Sequence, residues 1–375
     1  MPILRGQAVA AQHPKRPGPL LNVSQPRAGR HSRRALASAA TTLTSVNPPL
    51  LWPGVALHVV SGKGGTGKTT IAAALALALA AEGRRTLLME VEGRQGIAQL
   101  FDVPPLPYQE RRVAVAPGGG EVWALAVDAE EALLDYLEIF YNLRRAGSAL
   151  RRMGAVDFAT TIAPGLRDVL LTGKAIEVVR RSDKGSADAY QAVVLDAPPT
   201  GRISKFLNVN SEVSGLAKVG PIRSHADLVM SVIASPRTAV HLVTLLEEMP
   251  VQETIDGVSE LQSSKLPVGG IFVNMTRPPM LTAGQLEQAR AGTLSATALA
   301  QQVSASGLRQ DPAQVAAALV LEAIDHAQRV DLEHRELERI QGLSLPTLLL
   351  PMIADGIDLG ALYELSGMMR EVGIR

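Results

Sequence analysis

The stretch HVVSGKGGTGKTT, His58 to Thr70, passes from a short β-branched run into a glycine-rich loop and then into an alanine-rich segment. Gly62, Gly67, Lys68 and Thr69 satisfy G-x-x-x-x-G-K-[ST], the phosphate-loop pattern, in the strand–loop–helix setting it requires. Residues 55–60 supply the strand and residues 71–82 the helix. In such a loop the backbone of Gly62, Gly64, Gly65, Thr66, Gly67, Lys68, Thr69 and Thr70 wraps a polyphosphate at a helix N-terminus. There the N–H groups carry partial positive charge. Glycines let the main chain approach without Cβ clashes. Lys68 would reach the β/γ-phosphates and the Thr69 hydroxyl would ligate Mg²⁺. The alternative is a glycine turn that holds no ligand.

Lys63, directly after the first glycine, makes the loop G-K-G-G-T-G-K-T. It resembles the deviant Walker A group, which includes MinD, ParA, the nitrogenase iron protein, and the arsenite-pump and tail-anchored-protein-targeting ATPases. That resemblance implies a nucleotide-sandwich dimer in which Lys63 reaches the phosphates bound by the partner, as an arginine finger does. A solvated loop charge is the plainer reading of Lys63.

Composition narrows the partners. A length of 375 residues permits two ordinary domains, or one large α/β domain with helical additions. The net charge of +1 argues against a strongly basic nucleic-acid binder, and 3% aromatic residues are too few for base-stacking platforms. No nucleic-acid partner is expected. The absence of cysteine excludes disulfides, iron–sulfur ligation and thiolate zinc sites. The apolar run at 71–81 is too short to span a bilayer, so no transmembrane segment is expected and any membrane contact is peripheral or through a partner.

Residues 1–53 differ from the rest. They are rich in arginine, proline, serine and threonine and contain no Asp or Glu; the first carboxylate of the chain is Glu82. They read as a disordered basic arm, with an organellar leader or an over-extended gene start as alternatives. From residue 54 to 375 strands and helices alternate. Apolar runs at 56–60, 86–91, 122–127, 192–196, 239–244, 269–273 and 346–350 are continuous, as in a parallel sheet covered on both faces. The fold class is α/β, a doubly wound, mostly parallel sheet of about seven strands. Helix-rich insertions at 129–180, 207–236 and 282–343 are candidates for a helical subdomain.

The strand at 192–195 ends in Asp196, which precedes Ala197-Pro198-Pro199-Thr200-Gly201-Arg202. A strand-end aspartate beside a phosphate loop can serve the Mg²⁺ shell, or merely start a loop. With D-x-x-P-T-G the chain resembles the arsenite-pump and Get-type anion-transporting ATPase family, whose switch II reads D-T-A-P-T-G-H-T. Asp196, Pro199, Thr200 and Gly201 match; Pro198 and Arg202 depart. Pro164-Gly165 matches the family's P-G-x-x-E segment, with Asp168 in place of glutamate. Glu253-Thr254 matches its E-T pair. Asn274, after Gly270-Ile271-Phe272-Val273, matches the asparagine that contacts adenine, and Leu350-Pro351 matches the late loop beside the base. A strand-end turn is the plainer reading of Asn274. The resemblance spans residues 55–375.

Where the family has D-P-A-H, this chain has Glu92-Gly93-Arg94-Gln95, so the resemblance assigns the water-placing role to Glu92. Glu90 and Glu92 share a face of an extended strand. Glutamate carries one methylene more than aspartate, and a misplacement of about 1 Å can cost on the order of a hundredfold in rate. The helix expected at 129–145 is apolar nearly all round through Leu133, Leu134, Tyr136, Leu137, Ile139, Phe140, Tyr141 and Leu143. It reads as a buried subdomain helix, or else as a surface for a hydrophobic client.

The resemblance, which is to the family's cysteine-free actinobacterial branch, implies an ATP hydrolase using ATP and Mg²⁺. Lys63, Lys68, Glu92 and Asp196 would be catalytic, Thr69 and Asp196 would hold the metal, and Asn274 and Pro351 would flank the base. It further implies a homodimer or a heterodimer with a paralogous ATPase, a cytoplasmic location, and ATP-driven closure that handles a client or membrane-protein partner. Two alternatives remain at this point. One is a weakly hydrolysing regulatory subunit; the other is a MinD/ParA-like positioning ATPase with a C-terminal membrane-targeting helix.

Overall fold

The run Leu57–Gly62 is buried along its whole length as β1, and the other strands assemble around it. The structure, a computed structural model, describes residues 49–91, 93–141, 166–183, 189–208, 221–308 and 310–375. These residues belong to one compact unit, Thr44–Arg375. The remaining strands are β2 (Arg85–Glu90), β3 (Arg111–Val115), β4 (Glu121–Ala126), β5 (Ala192–Asp196), β6 (Thr238–Thr244), β7 (Val268–Thr276) and β8 (Thr347–Pro351). The described helices are α1 (Lys68–Ala80), α2 (Gly96–Leu100), α3 (Ala129–Tyr141), α4 (Leu166–Asp183), α5 (Thr200–Leu207) and α6 (Pro221–Ile233). They continue with α7 (Glu248–Ser263), α8 (Ala283–Arg290), α9 (Ala296–Ala305), α10 (Pro312–Gln341) and α11 (Leu359–Glu371).

The eight strands form one sheet in the order β3-β4-β2-β5-β1-β6-β7-β8. Every neighbouring pair is parallel except β3–β4. The sheet therefore has one strand more than the sequence suggests. β3 opens on two exposed arginines and lies at an edge, so it lacks the unbroken apolar signature of its neighbours. A glycine turn folds it onto β4, with Ala116 N donating to Gly120 O at 2.7 Å.

Side chains alternate across the sheet, and two cores result. Leu87, Met89, Val193 and Leu195 meet α4, α5, α6 and part of α7 on one face. Leu88, Val194, Val243 and Phe272 meet α1, α2 and α11 on the other. All residues of α1 from Ile71 to Ala80 are buried, which explains why the helix is built from alanine, leucine and isoleucine with no polar stripe. The face of α11 carrying Leu362, Leu365 and Met369 is buried in the same core.

α8, α9 and α10 form a helical block around Leu286, Ala289, Ala327 and Val330. Thr282 caps α8 in a reciprocal capping box with Gln285, and Asp311 caps α10 ahead of Pro312. Of the helix expected at 129–145, Leu133 is buried and Leu134 half-buried. The side chains of Tyr136, Leu137, Ile139, Phe140, Tyr141 and Leu143 lie outside the described residues, as do residues 1–48 and the segments 142–165 and 209–220. Leu51 N donates to Gly373 O at 3.0 Å and Trp52 Nε1 to Gly269 O at 2.8 Å, so the end of the basic segment is fastened to the sheet.

Near the amino end of β1, His58 packs against His241 of β6; both are fully buried, with Nδ1 of the first 3.0 Å from Nε2 of the second. Burial holds His58 down to about pKa 4. Burial and the neighbouring His58 hold His241 well below its ordinary value. The indole of Trp52 lies over His241 with ring centroids 4.2 Å apart.

Candidate active site

The loop between β1 and α1 lies at the carboxyl end of the sheet, between β5 and β6, where the strand order reverses and ligands bind in doubly wound folds. Close approach explains two of its glycines. A Cβ on Gly62 would come within 2.2 Å of Val243 O. Gly67, at φ 88°, caps α1 in the left-handed region, and a Cβ there would fall 2.4 Å from Asn274 Nδ2. Thr66 is buried and its hydroxyl donates to Lys63 O at 2.9 Å, which tightens the turn. Gly64 and Gly65 are exposed at the tip. Lys68 Nζ donates to Lys63 O at 3.4 Å, so its ammonium curls over the loop. Thr70 lies on the first turn of α1, half-buried.

Asp196 ends β5 on the same face of the sheet as Val194, the face that α1 covers. Thr69 Oγ1 donates to Asp196 Oδ2 at 2.7 Å. A hydroxyl and a carboxylate one hydrogen bond apart, beside a phosphate loop, are hard oxygen donors of the kind Mg²⁺ takes. The residues present fit that ion.

Switch II is anchored at its start. Ala197 N donates to Val60 O at 2.9 Å and Ser61 Oγ to Pro198 O at 2.6 Å. Thr200 then begins α5, where its buried hydroxyl lies 3.4 Å from Glu253 Oε2. The other oxygen of Glu253 pairs with Lys63 Nζ at 2.7 Å. Two of the departures from the family pattern face each other: Arg202 Nη2 is 3.8 Å from Asp168 Oδ1.

Asn274 lies within β7, buried, and its Nδ2 donates to Thr66 O at 2.9 Å. It braces the phosphate loop from behind. Pro351 ends β8 opposite Thr276 in the register, so both residues expected near the base sit at the adjoining carboxyl ends of β7 and β8. Glu92 lies outside the described residues. Glu90, its neighbour on the strand, ends β2 fully buried and accepts Gly96 N at 3.0 Å. In the sequence Glu90 is marked only by sharing a strand face with Glu92, and Glu253 only by its place in an E-T pair. Their contacts depend on strand register and helix placement, which no local pattern encodes.

A mostly parallel sheet with a phosphate loop after its central strand and a strand-end aspartate on the loop's threonine defines a P-loop nucleoside triphosphatase. A family profile described as "Anion-transporting ATPase" matches residues 56–235. ATPase BagA of Mycobacterium tuberculosis is 52% identical over 340 residues, 91% of this chain and 100% of that protein. ATPase GET3 of Kluyveromyces lactis is 25% identical over 57% of this chain and 70% of its own length. The arsenical pump-driving ATPase of Acidiphilium multivorum is 25% identical over 58% of this chain and 39% of its own. The chain belongs to the anion-transporting ATPase family. It is an ATP hydrolase and binds nucleotide.

Proposed function

We propose that the chain hydrolyses Mg²⁺-ATP as one half of a nucleotide-sandwich dimer, homomeric or with a paralogous ATPase, and that closure of the dimer drives the handling of a hydrophobic client or membrane-protein partner. The observation that carries this reading is the Thr69–Asp196 hydrogen bond at 2.7 Å, placed against Lys68 and the loop amides. Backbone N–H groups of residues 62–70 and Lys68 bind the phosphates. Thr69 and Asp196 hold Mg²⁺, which when bound neutralises charge on the phosphoryl oxygens. Glu92 places the attacking water, and Asn274 and Pro351 border the base. Lys63 is a third exposed on its own subunit and acts across the interface. The cytoplasm, where ATP is supplied, is the proposed location. None of the described helices is long and apolar enough to cross a membrane.

The pairing of Arg202 with Asp168 favours one second reading, a slowly hydrolysing subunit that activates a paralogue, because the family histidine's place is taken by a cation already engaged. The positioning-ATPase reading fares worse, since the apolar face of α11 is spent on the core. Hydrolysis and sedimentation velocity of the purified protein, alone and with its paralogue, with and without a non-hydrolysable ATP analogue, test these readings. Analogue-dependent dimers with turnover support the first. Turnover only when the paralogue is present supports the second, and monomers under every condition exclude both.

A further inference from the structure

We propose that Glu90 is a positioning residue that couples the divalent cation to the switch I loop through Gly96; the proposal rests on the ATPase reading above. Side chains alternate along β2 and β5, so Leu88 and Val194, which face α1, are followed on that same face by Glu90 and Asp196. Glu90 and Asp196 are register partners on adjacent parallel strands. Two buried carboxylates therefore stand side by side at the carboxyl edge of the sheet. Asp196 receives the Thr69 hydroxyl at 2.7 Å.

Gly96 ties Glu90 to the same place. Its N–H donates to Glu90 Oε1 at 3.0 Å. A Cβ on Gly96 would lie 3.7 Å from that oxygen, 3.8 Å from Thr69 Oγ1 and 3.3 Å from Thr69 Cγ2. Glu90, Thr69 and Asp196 thus converge on one small volume, and the N-terminus of α2 closes it. Gln95, at φ 56°, fixes the loop's far side by accepting Leu106 N at 2.7 Å and donating to Leu106 O at 3.2 Å. Gln95 and Gly96 are thus held between Glu90 on one side and Leu106 on the other.

A divalent cation held at Thr69 and Asp196 would be attracted by the Glu90 carboxylate beside it, while an oxygen of that same carboxylate accepts the Gly96 N–H. Cation binding and the Glu90–Gly96 hydrogen bond then reinforce each other through one side chain. Removing the charge of Glu90 weakens cation binding and slackens the loop together.

The test uses the full chain, Glu90→Gln and a fluorescent ATP analogue titrated with Mg²⁺. Tryptic cleavage after Arg94, an exposed residue of the loop, is followed by mass spectrometry. Glutamine keeps size and acceptor but not charge. We expect the Mg²⁺ half-saturation to rise about 10- to 100-fold. Metal-free nucleotide affinity should stay as in the wild type, and Mg²⁺ protection of Arg94 should be lost. A Glu90→Gln titration that overlays the wild type overturns the role of Glu90 alone. A wild type that binds no nucleotide at any Mg²⁺ concentration overturns the ATPase reading itself. If Glu90→Gln does not fold, the wild type still decides. Cleavage after Arg94 that is indifferent to Mg²⁺ in the nucleotide complex overturns the coupling, and protection that tracks Mg²⁺ saturation supports it.

Discussion

Lys63 Nζ stands 2.7 Å from Glu253 Oε1, so within one subunit the loop lysine is held by the second turn of α7. The same carboxylate receives the Thr200 hydroxyl at 3.4 Å, which joins the phosphate loop, switch II and α7 at a single side chain. A lysine that acts across an interface must first leave Glu253. Both side chains are about a third exposed, at 33% and 37%, so leaving costs little.

Glu253→Ala should therefore change stability by less than about 1 kcal/mol. It should lower the ATP concentration at which dimers form. Thermal melts and sedimentation velocity across an ATP series check both halves of this expectation.

Lys63→Ala should retain nucleotide binding while hydrolysis falls by about 10³-fold or more, the range for a charge supplied in trans. An equimolar mixture with an Asp196→Asn chain should recover part of the activity through mixed dimers. Steady-state phosphate release measures it.

Gly67→Ala would place a methyl 2.4 Å from Asn274 Nδ2 at a φ of 88°. Strain of about 1–3 kcal/mol is expected, together with loss of nucleotide binding. Asn274→Ala should cost about 1–3 kcal/mol by orphaning the buried Thr66 carbonyl. Urea midpoints and nucleotide titrations separate the two variants.

His58 and His241 make stability depend on pH. Burial lowers the folded-state pKa of His58 from 6.5 to about 4. Between those values the unfolded chain binds more protons than the folded one, so stability falls as pH drops through this window. For His58 the full loss is about 3 kcal/mol, and His241 adds to it in the same direction. His58→Gln should flatten a plot of urea midpoint against pH between 7 and 4.

Glu92→Gln should reduce hydrolysis by about 10²-fold or more with nucleotide affinity little changed, as expected for a group that places water. Single-turnover kinetics of Glu92→Gln and Glu92→Asp show whether the longer side chain is required.

The parts of this molecule that are local in sequence could be read from it. The phosphate loop, the run into Asp196 and the continuous apolar strands each announce themselves within a dozen residues, and the structure places those strands within a few residues of the expected bounds. β3 escaped because an edge strand led by exposed arginines has no apolar run. α7 begins at Glu248, ahead of Pro250, because proline in the first helical turn surrenders an N–H that has no partner there anyway. Asn274 read as a residue after a strand, yet β7 continues to Thr276 and turns its amide under the loop. The Lys63–Glu253 pair and the Glu90–Gly96–Thr69 cluster needed the strand order β2-β5-β1-β6, which is a property of the whole sheet.

α1 begins at the nucleotide's doorstep and is enclosed on every side from Ile71 to Ala80. Close-packed alanine and leucine leave such a rod no room to pivot or slide. Such a rod is expected to act as a stator, with any movement that answers a changing occupant falling to the polar-tethered loops on either flank. Useful variation in how this machine responds should therefore arise in those loops, while the helix itself resists retuning.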